Sequence, residues 1–171
     1  MRSTLLLLTA IASGCAAPCA GPEQISGVPY DVFATVLTFG LVDDAAGLAA
    51  ASTPANGTSV WRFDWGTTAT GPVTVVIDDQ ELEGTGSWST IDCGNFAIEI
   101  DDQPYVAPDD PDGTVHELRF SGIFVAYDAR LEGSGAYAES WATPATEDLE
   151  AASGVLNVPE LQLRGTTTTT P

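Results

Sequence analysis

The chain has 171 residues, and its 24 acidic side chains are set against five arginines and no lysine, a formal net charge of −19 at pH 7. A chain without basic clusters is poorly equipped to neutralise phosphates, so nucleic acid and anionic headgroups are not expected as partners. The length supports one domain with a real core and is short for two.

Arg2 precedes an apolar run, Leu5 to Ile11, which passes through Ala12-Ser13-Gly14 to Cys15. Charge, apolar run and small residues in that order read as a secretory signal, and the apolar and small residues together, about eleven, are roughly half of the ~20 that a membrane-crossing helix needs. The segment Ala12-Ser13-Gly14-Cys15 resembles the lipobox of bacterial lipoproteins, with Ala12 where Leu is usual. This resemblance covers residues 1–15 alone. It implies cleavage of a signal peptide, residues 1–14, acylation of Cys15 (palmitate chemistry) and attachment to a membrane of the cell envelope. Ala16 stands where an Asp would imply retention at the inner membrane, so the implied address is the outer membrane. Stable attachment needs two or more acyl chains, which an acylated lipoprotein cysteine carries. Residues 15–26 then form a lipidated tether to a β domain over 27–165.

Beyond the tether the periodicity is that of β-structure. Val60 to Trp65 puts Trp61, Phe63 and Trp65 on one face and Arg62 and Asp64 on the other, a strict period of two. Phe96, Ile98 and Ile100 alternate in the same way with Ala97, Glu99 and Asp101. Further strands are predicted over Val28 to Phe39, Val73 to Ile77, Leu82 to Thr90, Val115 to Tyr127, Leu131 to Trp141 and Val155 to Leu163, eight in all. One short helix is predicted, Asp43 to Ala51, from its acidic start and alanine interior. Residues 166–171, Thr166 to Pro171, read as a disordered Thr-rich tail. Strands joined by short turns predict an all-β fold: one antiparallel domain of about eight strands, an up-and-down barrel or a β-sandwich.

An internal repeat supports strong curvature. Asp79, Leu82, Glu83, Gly84 and Gly86 recur 49 residues later as Asp128, Leu131, Glu132, Gly133 and Gly135. Paired glycines in a strand suggest sharp bending or close backbone approach, as in barrels. A phosphate loop is excluded, because the third glycine and the following helix are missing.

With Cys15 acylated, Cys19 and Cys93 remain as an even pair in an oxidising compartment, and a disulfide between them is expected. In a simple meander alternate connections fall at one end. Asp43, Asp44, Asp78, Asp79, Asp101, Asp102, Asp109, Asp110 and Asp112 would then share one rim, and the cysteines the other. Such a rim suits a calcium site, although Asp109 to Gly113 does not fit the EF-hand spacing. Trp61, Phe63, Trp65, Trp88, Tyr137 and Trp141 are the candidates to line an apolar pocket, unless they simply fill the core. His116 is the only histidine and shares parity with Leu118 and Phe120, as a satisfied or partly exposed strand residue would. No serine or cysteine nucleophile has a recognisable motif around it, so catalysis is not expected. The functions that follow are, in order, a noncatalytic envelope lipoprotein with a structural or binding domain and possible envelope protein partners, a calcium- or small-ligand-binding module, and a hydrolase using paired carboxylates.

Overall fold

A computed structural model describes residues 21–43, 57–106, 114–127, 129–147 and 150–168. It is a closed barrel of eight antiparallel strands in meander order, so the barrel alternative is the one realised and the sandwich is not. The strands are β1 (Pro29–Asp43), β2 (Thr58–Trp65), β3 (Thr70–Ile77), β4 (Gln80–Trp88), β5 (Asn95–Tyr105), β6 (Val115–Tyr127), β7 (Arg130–Thr143) and β8 (Ala152–Thr167). Each overlaps one of the eight expected strands, with Val28 falling just before β1 and Ser89 and Thr90 just after β4. The final strand runs through Thr166 and Thr167, two residues into the segment read as a tail, because they pair with Arg130 and Tyr30. Among the described residues the only helical element is a 3-10 turn, Pro22–Gln24. The expected helix lies outside the described residues except for Asp43, which ends β1.

Alternation makes the barrel. Along β2 the side chains of Ser59, Trp61, Phe63 and Trp65 are buried while Thr58 and Val60 are exposed. β6 repeats the pattern, with His116, Leu118, Phe120 and Phe124 inside. Eight strands leave an interior just wide enough for side chains to fill, and rings fill it here. Trp88 stacks on Phe96 at a centroid distance of 5.4 Å and Phe96 on Phe124 at 5.1 Å, while Phe63 meets Phe96 edge-on at 5.4 Å and Trp61 meets Phe120 edge-on at 5.5 Å. Trp61 Nε1 donates to Ser59 Oγ at 2.7 Å, so this indole is buried without an unmet donor.

The glycines of the repeat make room for these rings. A Cβ on Gly86 would lie 2.4 Å from the indole of Trp65, and one on Gly135 would lie 2.3 Å from the carbonyl oxygen of Ser121. Neither distance is tolerable, so the walls approach as the sequence suggests. Asp78 and Asp79 form the two-residue link between β3 and β4, closed by Ile77 and Gln80, and Tyr127 and Arg130 close the β6–β7 link.

The near end of the barrel carries the β2–β3, β4–β5 and β6–β7 connections, the start of β1 and the end of β8. Main-chain hydrogen bonds run around this mouth. Gly27 N donates to Phe63 O at 3.0 Å, Trp88 N to Ala69 O at 2.6 Å, Ala126 N to Gly94 O at 2.9 Å, Thr167 N to Ala129 O at 2.9 Å and Thr168 N to Pro29 O at 3.0 Å. Residues 22–27 close it further. Pro22 and Ile25 are buried, and the Ser26 hydroxyl donates to Trp65 O at 2.7 Å while accepting from Trp65 N at 2.8 Å.

The far end is built differently. Backbone pairing of β4 with β5 stops at Thr85 and Glu99. Beyond it two glutamine amides bridge the strands. Gln103 Oε1 accepts from Glu83 N at 2.8 Å and its Nε2 donates to Glu83 O; Gln80 Oε1 accepts from Val106 N at 2.8 Å and its Nε2 donates to Val106 O. Each side-chain amide stands in for a peptide group of the missing ladder.

Candidate functional site

The interior changes character toward the far end. In register across β5, β6, β7 and β8 lie Tyr105, His116, Trp141 and Gly154. One step inward the β6–β7–β8 row is Leu118, Glu139 and Leu156, and the next holds Phe120, Tyr137 and Val158. Glu139 sits between the other two polar side chains. One carboxylate oxygen pairs with His116 Nδ1 and the other accepts from the Tyr137 hydroxyl. The His116 and Glu139 side chains are 1% and 0% exposed. The imidazole also stacks on Trp141, with ring centroids 6.5 Å apart. Nearby, the hydroxyls of Thr114 and Thr143 share a hydrogen bond of 2.9 Å between the start of β6 and the end of β7. Of the two alternatives open to His116, satisfied or partly exposed, the structure shows the satisfied one. Glu139 is the residue the sequence reading passed over. Its signal was present: it has the parity of Tyr137 and Trp141, and so faces inward with them.

A buried histidine–carboxylate–phenol set has the groups of an acid–base relay. With both central side chains fully withdrawn from solvent, its evident work is to bind β6 to β7 inside the wall. Breaking such a buried pair is costly even where forming it gains little.

Five of the nine candidate rim acids lie among the described residues, and these are not gathered at one place. Asp43 ends β1, and Asp78 and Asp79 form the β3–β4 turn. Both turn residues have positive φ, 47° and 68°, as the tight hairpin turn demands. Asp78 is also engaged with β2: its Oδ1 accepts from Val60 N at 2.7 Å, and its own N–H donates to Val60 O at 3.0 Å. Asp101 and Asp102 are not at a strand end. They sit exposed on the body of β5, where the register with β6 slips between Ile100 and Gln103, and β5 continues to Tyr105. Asp102 lies 3.8 Å from Arg119 on the outer surface. Asp44, Asp109, Asp110 and Asp112 lie outside the described residues. Among the described residues no group of three or more His, Cys, Asp or Glu side chains is placed to hold a metal ion.

The six aromatic candidates are buried together, from Trp61 and Phe63 at 0% exposure to Trp141 at 7%. Trp65 and Trp88 meet edge-on at 6.1 Å, and both touch Phe96. These rings fill the core. The structure does show a concavity of about 620 Å³ on the outside of the wall, across β4 to β8, lined by small side chains such as Ser87, Ala97, Ser121, Ser134 and Ala136.

Cys93 lies in the β4–β5 connection at the near end and is disulfide-bonded. The other two cysteines, Cys15 and Cys19, lie outside the described residues. No described helix is long and apolar enough to cross a membrane, which says nothing of crossing by strands. Comparison with known proteins returns no matching family model, no matching curated protein and no matching solved structure.

Proposed function

We propose that this chain is a noncatalytic envelope lipoprotein, held at a membrane by acylated Cys15, whose barrel is a rigid structural or binding module acting through its exterior and its far-end loops. The observation that carries this reading is the filled interior. A carrier of the same strand number keeps a hollow for its ligand, whereas here stacked and edge-on rings occupy the wall-to-wall space and residues 22–27 cover the near mouth. The disulfide at Cys93 supports the same reading. With Cys15 reserved for lipid, Cys19 is its natural partner, and export to an oxidising compartment follows.

Expression in a bacterial host followed by detergent phase separation tests the anchor. The native chain should enter the detergent phase and carry label from radioactive palmitate, and Cys15→Ser should remain aqueous with an unchanged tryptophan spectrum. A Cys15→Ser protein that still partitions with detergent would remove the anchor from the proposal. Peptide mapping without reduction should give a Cys19–Cys93 link, and a Cys15–Cys93 link would be incompatible with acylation.

A further inference from the structure

We propose that the near end of the barrel rests directly on the lipid surface, with Ile91 at the tip of the β4–β5 connection entering the interfacial layer. This rests on the lipoprotein reading and adds the contact surface to it. Gly21 stands six positions after Cys15, a span of at most about 22 Å when fully extended. The link at Cys93 shortens the distance further. If Cys19 is its partner, the acylated cysteine is four positions along the chain, or at most about 14 Å, from a disulfide on the barrel itself. A tether that short leaves little room for a solvent gap beneath the barrel.

The surface brought down is suited to lipid. Ile91 is 86% exposed, two residues from Cys93. Its connection is held in place by a turn in which Ser89 Oγ accepts from Ile91 N at 3.3 Å and Asp92 N at 2.9 Å, and by the Gly94 carbonyl, which accepts from Ala126 N at 2.9 Å. The neighbouring end of β6 presents Tyr127, 39% exposed, beside Arg130. At the same end of the barrel, exposed Ile91 and Tyr127, the latter paired in register with Arg130, are side chains of the kind found at a membrane–water interface, and the exposed acids Asp92 and Glu132 stand among them. The flanking near-end connection, Gly66 to Ala69, is uncharged, and so are Thr166 to Thr168. The acids of the β3–β4 turn are at the opposite end, away from the bilayer.

The test uses the full acylated chain reconstituted in phosphatidylcholine vesicles, with and without bromine on the acyl chains. Ile91→Trp adds an exposed indole at the near end, and Val106→Trp adds one at the far end, where Val106 is 65% exposed. Relative to wild type, the extra emission of Ile91→Trp should shift to the blue and fall to about half in brominated vesicles, as for an interfacial indole, while that of Val106→Trp is unchanged. If the protein floats with vesicles and Ile91→Trp is not quenched, the anchor stands and the end-on contact is overturned. Quenching of both variants also overturns it, since the barrel would then lie on its side. Failure to float at all overturns the lipoprotein reading, and this inference falls with it.

Discussion

Replacing Glu139 by leucine should test whether the polar layer is a structural tie. The substitution keeps a side chain of similar bulk inside the wall but removes both acceptors, so His116 Nδ1 and the Tyr137 hydroxyl each lose a buried charge-assisted bond. Each buried group left without its bond costs about 1–3 kcal/mol, and breaking a buried pair by deleting one partner costs about 3–5 kcal/mol in all. For a domain of this size that corresponds to a fall in Tm of about 6–20 °C. Urea unfolding followed by tryptophan fluorescence should show the midpoint falling with the slope m unchanged, because the folded state remains closed. A cycle with His116→Leu and the double variant should return a coupling of at least about 1 kcal/mol between the two positions. A loss below about 1 kcal/mol for Glu139→Leu, or strict additivity in the cycle, would refute the assignment of this layer as a tie between β6 and β7.

Three further outcomes follow from the wall. Gly86→Val places a Cβ 2.4 Å from the Trp65 ring, so the indole must move, and the overpacking should cost about 1–3 kcal/mol in urea unfolding; a neutral result would mean that the wall yields freely there. Gln103→Leu removes both bonds to the Glu83 peptide, which should cost about 0.5–1.5 kcal/mol and accelerate amide exchange at Glu83, with Gln80→Leu doing the same at Val106; unchanged exchange at these two amides would show that the glutamines are not replacing ladder bonds. Burial raises the phenol of Tyr30 above its ordinary range, so the folded state holds that proton more tightly than the unfolded chain. Its contribution is intact below the unfolded pKa near 10 and is lost as pH rises through the higher folded value, so Tyr30→Phe should flatten the alkaline fall in stability.

The wall was legible in the sequence because its signal is local. Trp61, Phe63 and Trp65 declare their common face within six residues, and the glycines at 84, 86, 133 and 135 announce close approach wherever their partner strands lie. The polar layer was legible only in part. Parity put His116 on the face of Leu118 and Phe120 without deciding between buried and partly exposed, while Glu139, with equal parity, is hidden by the general tendency of carboxylates to lie at the surface. The slip at Asp101 and Asp102 leaves no mark in composition, since a bulge is one extra residue and both side chains suit an exposed strand equally well. The glutamine bridges could not be foreseen, because each joins residues that only closure of the barrel brings together.

The ring of main-chain bonds at the near mouth also gives the molecule an order of melting. Around that mouth the connections are bound to one another peptide to peptide, whereas between β4 and β5 at the opposite end the junction rests on two exposed side chains that water can replace at little cost. Thermal opening should therefore begin at the glutamine seam and travel downward, with the ringed mouth the last region to separate. A barrel held by that mouth would shed its outer reaches first and keep its attached rim folded longest, so a partly opened molecule would remain in place and close again on the same footing.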